Sequence, residues 1–147
     1  MIKENKIQTF LPHPNFEESA KVLDYRRLGK QRIETKQILN ALLGKSKGWI
    51  NHPITKAWKG YERALIRYGI AICKEWRNRG YKDKQLDWFL IKWDEFAEDI
   101  NKDPSMPKWF GNYKFHSSHR AALLYKFPEY YQQFGWTEKP ELNYFWP

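Results

Sequence analysis

The chain has 147 residues, 41% of them hydrophobic, so its length and composition fit one domain that buries a core without disulfides or structural metal. Lys and Arg number 26 against 17 Asp and Glu, and the resulting net charge of +9 favours a polyanionic partner, nucleic acid above all, over a protein that is merely basic. A single cysteine excludes an internal disulfide, and no apolar run approaches the ~20 residues of a membrane-spanning helix, so we expect a cytoplasmic protein with no membrane partner.

The first predicted elements are an extended segment and a pair of helices. Residues 7–11 are expected to be extended, because Pro12 and Pro14 follow at once and block a helix. Asn15 can cap a helix over residues 16–28. Gly29 is expected to interrupt this helix, and a second helical stretch then runs to about residue 43.

The middle of the chain carries the strongest helical pattern. Pro53 suits a helix N-terminus, and large apolar residues then recur at spacings of three and four as far as Trp76. This stripe predicts one helix over residues 53–80 that buries one face, with Trp58 in the core. A similar pattern from Trp88 to Ile100 predicts another helix.

The last third of the chain is rich in aromatic residues. We expect residues 107–115 to be irregular, a short helix over 116–126 with Ser117 or Ser118 as its cap, and a turn over 128–134. No strand signal exceeds a few residues. The predicted class is all-α: a compact single-domain helical bundle spanning residues 1–147, with 1–7 as an N-terminal extension and an aromatic-rich irregular C-terminal tail.

One constellation lies in the segment Asp24-Tyr-Arg-Arg-Leu-Gly-Lys-Gln-Arg-Ile-Glu34, which holds four cations and two carboxylates. The cations suit phosphates, and a carboxylate held among them could stabilise a sugar oxocarbenium ion or orient water. Lys30 is a candidate amine for a Schiff base. The alternative is a solvated helix face with ordinary ion pairs, such as Lys30 with Glu34.

Two further clusters could bind anions. His52 and Lys56 lie at a predicted helix N-terminus, where the simpler alternative is a capping histidine. The segment Phe115-His-Ser-Ser-His-Arg120 places Ser117, His119 and Arg120 where they could reach a phosphate or a base edge. His116 and His119 lack a further metal-ligating partner, and the common nucleotide-binding and zinc-protease motifs are missing, so we expect no metal and no cofactor.

Three blocks, taken together, resemble a known family. They are Leu23-Asp-Tyr-Arg-Arg-Leu-Gly-Lys30, the stretch from His52 to Tyr81 with Tyr61-Glu-Arg-Ala-Leu65 and Cys73-Lys-Glu-Trp-Arg-Asn-Arg-Gly-Tyr81, and the stretch from Phe115-His-Ser-Ser-His119 to Tyr130-Tyr-Gln-Gln-Phe-Gly135. Their order and spacing resemble the phage endonuclease V type of pyrimidine-dimer DNA glycosylase and its bacterial relatives.

The resemblance implies a helical fold that kinks duplex DNA and flips a nucleotide out. It also implies a Schiff base from the N-terminal amine, assisted by a glutamate of the first helix, with strand cleavage after base excision. At the position of that glutamate the chain has Arg27, so the nearest carboxylates are Asp24 and Glu34. The amine of Met1 sits on the N-terminal extension.

The sequence thus predicts a monomeric DNA glycosylase that acts on double-stranded DNA carrying a damaged or modified base. The base is a pyrimidine dimer or a bulky modified cytosine as in phage DNA, and AP-lyase activity is left open. The candidate catalytic residues are Glu34, Asp24, Lys30 and Arg27, and the candidate DNA contacts are Arg26, Arg32, His52, Lys56, Ser117, His119 and Arg120. The alternatives are a DNA-binding or lesion-sensing module without catalysis, and an RNA-binding protein that stacks unpaired bases.

Overall fold

A computed structural model describes residues 7–96 and 106–147, which form seven α-helices, a short 3-10 helix and no strand. The predicted all-α class is therefore confirmed. In chain order the helices are α1 (Phe16–Val22), α2 (Tyr25–Leu42), α3 (Pro53–Trp58), α4 (Glu62–Asn78), α5 (Gln85–Glu95), α6 (Tyr113–Lys126) and α7 (Pro128–Tyr131), and the 3-10 helix is Gln132–Phe134. Within these ranges no helix is both long and apolar enough to cross a membrane.

The break between α1 and α2 lies at Leu23 and Asp24, so the predicted interruption at Gly29 is wrong. Leu23 is extended, and the Asp24 side chain caps α2 by accepting a hydrogen bond from the backbone N–H of Arg27. Gly29 lies inside α2, where an added Cβ would come within 2.9 Å of the Trp76 ring. The glycine therefore serves close packing of α2 on α4, which offsets its low helix propensity.

The predicted helix over residues 53–80 is in fact two helices. Gly60 adopts a left-handed φ of 88°, and the chain turns there between α3 and α4. Trp58 on one side of the break and Leu65 on the other are both fully buried, as the apolar stripe predicts. Periodicity indicates which residues are buried and not whether the backbone is continuous, so the stripe does not reveal the break at Gly60.

Helix α4 forms the centre of the bundle and packs against α1, α2 and α5. Gly69 allows a close contact with α5, where an added Cβ would lie only 2.4 Å from the Phe89 ring. The core around it is aromatic, and its largest fully buried side chains include Trp58, Tyr68, Phe89, Phe115 and Tyr131.

The extended segment 7–11 is buried beside α2 and α6 without a strand partner, as the sequence predicts for its conformation. Two histidines of α6 bind the backbone of Leu11: its N–H donates to Nδ1 of His119 at 3.0 Å, and its carbonyl lies 2.8 Å from Nδ1 of His116. Because Nε2 of His116 accepts from the backbone N–H of Gly111, its Nδ1 carries the proton that Leu11 accepts. His116 and His119, three residues apart on α6, therefore bind the backbone of Leu11 through their ring nitrogens.

The C-terminal region differs from the prediction at two places. Helix α6 begins three residues earlier than expected, because Asn112 caps it by accepting from the N–H of Phe115, so the predicted caps Ser117 and Ser118 are wrong and lie inside the helix. The predicted turn over 128–134 is α7 followed by the 3-10 helix. Residues 136–147 have no regular secondary structure and run along α6, where the N–H of Phe145 donates to Ser118 Oγ. The predicted helix from Trp88 is observed as α5 up to Glu95, and its expected continuation to Ile100 lies outside the described residues.

We predict that Gly69→Ala destabilises the protein by about 1–3 kcal/mol, because the new methyl group would overlap the Phe89 ring inside a packed core. The free energy of unfolding from urea titration measures the change. Gly48→Ala is the matched control, since its Cβ would meet nothing closer than Ser46 Oγ at 3.8 Å. Equal stabilities of the two variants would show that α4 and α5 can separate without cost.

Candidate active site

A pocket of about 580 Å³ opens between the N-terminal segment, α2 and the end of α6. Four of its lining side chains are cationic and one is a carboxylate. The lining residues are Phe10, Arg26, Arg27, Lys30, Gln31, Glu34 and Lys126. This volume lies within the roughly 300–1,000 Å³ usual for ligand pockets, and the lining charge favours an anionic ligand.

The α2 residues of the pocket share a face because of helical geometry. Arg26, Lys30 and Glu34 follow one another at intervals of four residues, which places them in a row along the helix. Arg27 lies beside this row and seven residues before Glu34, so it is on the same face about two turns away. The sequence-predicted residues Arg26, Arg27, Lys30 and Glu34 are thus brought together.

Glu34 is half-buried at the inner end of this row. Its Oε1 accepts a hydrogen bond from the backbone N–H of Gln8 at 3.0 Å and lies 3.4 Å from Nε2 of Gln31. Withdrawal from water raises the pKa of the Glu34 carboxyl, against the hydrogen bond from Gln8 and the charges of Lys30 and Lys126, which lower it. A carboxylate with a raised pKa is a stronger base than an exposed glutamate, which suits it to accept a proton.

The orientation of the Gln31 amide follows from its partners. Its Oε1 accepts from the N–H of Phe10 at 2.9 Å and lies 2.7 Å from the Tyr68 hydroxyl. The amide nitrogen must then face the other way, where it donates to the carbonyl of Gln8 at 2.8 Å and approaches Glu34. Gln31 therefore fixes both the extended segment and the carboxylate beside it.

Asp24 lies outside the pocket, about 15 Å from Glu34 along the axis of α2. It is buried, caps α2, and accepts a 2.5 Å hydrogen bond from the Tyr131 hydroxyl. Its carboxylate also pairs with Arg27 at 3.2 Å. The structure therefore places Asp24 where it fixes the start of α2 and one pocket-lining arginine.

Arg32 lies on a different face of α2 from the pocket, since it is two residues, or about 200°, from both Lys30 and Glu34. It forms a 2.6 Å ion pair with Asp83, whose side chain is fully buried, and its guanidinium lies 4.6 Å from the centre of the Trp76 ring. Burial alone would raise the pKa of Asp83, but hydrogen bonds from Arg32 and from the backbone of α5 lower it. Arg32, which the sequence predicts to contact DNA, is thus bound to Asp83 and Trp76 within the protein.

His52 lies at the N-terminus of α3, and Lys56 lies within this helix. His52 caps this helix, because its Nδ1 accepts from the backbone N–H of Ile54 at 3.0 Å, and its ring makes edge contacts with Trp49 and Trp146. Burial lowers the pKa of His52. Lys56 is exposed on the same helix and does not line the pocket.

The C-terminal tail binds two residues of the third predicted cluster, Ser117 and Arg120. Ser117 donates to the carboxylate of Glu138 at 2.9 Å, and Arg120 forms a 2.7 Å ion pair with the same carboxylate. Burial alone would raise the pKa of Glu138, but these hydrogen bonds lower it. His119 is fully buried against Leu11, and burial lowers its pKa to about 3, so it is neutral at pH 7.

Three pocket residues were not among the sequence-predicted site residues: Phe10, Gln31 and Lys126. Phe10 and Lys126 come from elements far along the chain from α2, so no local pattern groups them with it. Gln31 is the exception, because its position three residues before Glu34 placed it near the predicted face. In the described ranges no cluster of three or more His, Cys, Asp or Glu side chains could hold a metal ion.

Comparison with known proteins adds one match to this geometry. The model of the family described as pyrimidine dimer DNA glycosylase matches residues 7–88, more than half of the chain. The matched range runs from the extended segment to the first turn of α5 and contains every pocket residue except Lys126. No curated protein and no solved structure matches the chain.

We predict that His119 makes the fold sensitive to acid. The unfolded histidine takes up a proton below about pH 6.5, whereas the folded one stays neutral down to about pH 3. Between these values its contribution to stability falls by about 1.4 kcal/mol per pH unit as the pH is lowered. His119→Gln keeps an acceptor for Leu11 but does not titrate, so its free energy of unfolding should fall less steeply from pH 6 to pH 4. Equal slopes in urea titrations of the two proteins would contradict this.

Proposed function

The chain belongs to the pyrimidine dimer DNA glycosylase family, and we propose that it excises a damaged or modified base from duplex DNA with Glu34 as its catalytic carboxylate. The observation that carries the proposal is a half-buried carboxylate at the inner end of a row of cations in one pocket. The proposed bases are a pyrimidine dimer, which the family name specifies, and a bulky modified cytosine.

The position of Glu34 supports this assignment. The endonuclease V type of enzyme, which the sequence resembles, has a glutamate where this chain has Arg27. Glu34 restores a carboxylate seven residues later, on the same face of α2 and two turns further into the pocket. The catalytic group is then supplied from a different position of the same helix.

The proposed reaction is hydrolysis of the bond between the sugar C1′ and the base. As this bond breaks, its electron pair leaves with the base, and the ionised Glu34 stabilises the positive charge that develops on the sugar ring. A water molecule bonds to C1′ and gives a proton to Glu34, while the departing base takes a proton from solvent. Hydrolysis leaves an abasic sugar. A modified cytosine departs as the free base, whereas the released base of a pyrimidine dimer stays joined to its neighbour through the cyclobutane ring.

The cations of the pocket have a separate role. Arg26 and Lys30 are exposed along the row and can bind the phosphates on either side of the extruded nucleotide. Arg27 is held by Asp24, so its guanidinium is oriented before DNA arrives. We assign Asp24 to positioning Arg27, and Glu34 to the chemistry.

Lys30 also gives a route to strand cleavage. It lies one turn from Glu34 in the same pocket, so its amine can bond to C1′ as the base departs, and opening of the sugar ring then gives a Schiff base. The amine of Met1 is the other candidate, and it lies outside the described residues. Borohydride reduces a Schiff base to a stable adduct, so trapping separates this lyase route from hydrolysis.

We predict that Glu34→Gln lowers the single-turnover rate of base excision on the order of 10²- to 10⁴-fold and leaves DNA affinity nearly unchanged, because it removes a proton acceptor and keeps the shape. The substrates are labelled duplexes with a cis-syn thymine dimer, a bulky modified cytosine or no lesion. Each reaction is divided and read with and without hot alkali, beside a borohydride trap.

Glu17→Gln is the matched control, because Glu17 is an exposed glutamate of α1 that does not line this pocket. Excision by Glu34→Gln at the wild-type rate would overturn the assignment of Glu34. Tight binding with no excision of either lesion by the wild-type protein would favour a DNA-binding module without catalysis.

We further predict that Arg26→Ala and Lys30→Ala each reduce the salt dependence of DNA binding. Each lost phosphate contact should lower the slope of log K against log salt concentration by roughly 0.9. Lys47→Ala is the control, since Lys47 is exposed beyond the C-terminal end of α2, and that end lies about 24 Å from Arg26 along the helix. If all three variants change the slope equally, the positive charge acts as a whole and the pocket is not the contact surface.

A further inference from the structure

Two exposed tyrosines lie side by side near the start of α2, beside the pocket residue Arg26. Tyr25 is the first residue of α2 and is 51% exposed, and Tyr81 follows α4 and is 42% exposed. Their rings are 6.3 Å apart between centroids and 28° from parallel. Single exposed tyrosines are common, but two stacked exposed rings form a contiguous aromatic patch, which makes the pair a candidate interaction surface.

The pair is the outer part of a ladder of three rings. Tyr81 stacks on Trp76 with a centroid distance of 4.3 Å and an angle of 27°. Trp76 in turn packs against α2 at Gly29, where a Cβ would collide with its ring. The exposed rings therefore rest on the packing of α2 against α4 and are already in place before any ligand binds.

The loop that carries Tyr81 is held firmly. The carboxylate of Asp83 accepts from the backbone N–H groups of Gln85 and Leu86 and pairs with Arg32 and Arg77. The indole N–H of Trp76 donates to the carbonyl of Lys82 at 2.9 Å. The internal role of Arg32 is thus to fix the loop beneath the tyrosines.

The ladder lies on the α2 face of Arg32 and meets the cationic pocket at one residue, Arg26. Arg26 lines the pocket, and its Nε lies 3.3 Å from the Tyr25 hydroxyl. Lys82, the residue after Tyr81, is also exposed. Flat rings with cations nearby provide stacking for a base and charge for the phosphates beside it.

We propose that Tyr25, supported by Tyr81, forms a stacking platform for an unpaired nucleobase of duplex DNA, at the rim of the pocket where Arg26 lies. The platform rests on the proposed function for its DNA substrate, and it adds a second contact that binds a base by its face instead of by its edge. Such a contact tolerates any base, because every base has a flat face. It favours DNA that is already locally unpaired, as at a lesion.

The test uses a DNA that is not a substrate, so its outcome does not depend on excision. Dissociation constants are measured for a duplex with one bulged 2-aminopurine and for the fully paired duplex, at one salt concentration. We expect Tyr25→Ala to weaken binding of the bulged duplex roughly 5- to 100-fold and binding of the paired duplex much less. Tyr25→Phe should retain the affinity, since it keeps the ring.

Fluorescence gives a second readout. The wild-type protein should quench the bulged 2-aminopurine by stacking, and Tyr25→Ala should not. Tyr113→Ala is the matched control, since Tyr113 is a 72% exposed tyrosine on α6 that does not line the pocket. Thermal unfolding of each variant checks that the fold is intact.

Three outcomes would overturn the proposal: equal losses on bulged and paired duplexes, loss with Tyr25→Phe, and unchanged affinity and quenching with Tyr25→Ala. A loss seen only with single-stranded RNA of the same sequence would assign the platform to RNA instead of DNA. Failure of the proposed function is a separate result, namely no excision of either lesion while stacking on the bulged base persists.

Discussion

The structure depends on how the backbone N–H and C=O groups of residues 7–11 find hydrogen-bond partners. An extended segment buried among helices has no strand beside it, yet each buried N–H and carbonyl needs a partner. Side chains of α2 and α6 provide most of those partners: Gln31 and Glu34 from one side, and His116 and His119 from the other. Tyr68 of α4 donates to the carbonyl of Phe10. The same hydrogen bonds hold Glu34 half-buried and aimed at the pocket, so the fold and the candidate chemistry share one set of contacts.

The positive charge of the chain is divided between two tasks. Arg32, Arg77 and Arg120 form ion pairs with carboxylates that are largely or fully buried, and these pairs hold loops and the tail in place. Arg26 and Lys30 stay exposed on the pocket face of α2. The net charge of +9 therefore favours a polyanionic partner, and the internal ion pairs determine which cations are available to bind it.

The proposed site combines a fixed carboxylate with fixed surroundings. Asp24 and Tyr131 anchor the start of α2, and Gln31 orients Glu34 further along the same helix. The aromatic ladder outside the pocket rests on the same α2 and α4 contact through Gly29 and Trp76. Because one helix carries the carboxylate, the cations and the first ring of the ladder, their spacing is set by helical geometry and does not have to be built from loops.

The sequence by itself determined the all-α class, the buried stripe through Trp58 and Leu65, and the i,i+4 relation of Lys30 to Glu34, whereas the continuity of α2 through Gly29, which adds Arg26 to their row, came from the structure. These features are local, since helical periodicity places residues three and four apart on one side. Tertiary structure alone decided that Lys126 joins the pocket, that Arg32 turns inward to Asp83, and that Glu138 occupies Ser117 and Arg120. Those partners lie between 18 and 51 residues apart or on separate elements, and such pairings are fixed only when helices pack.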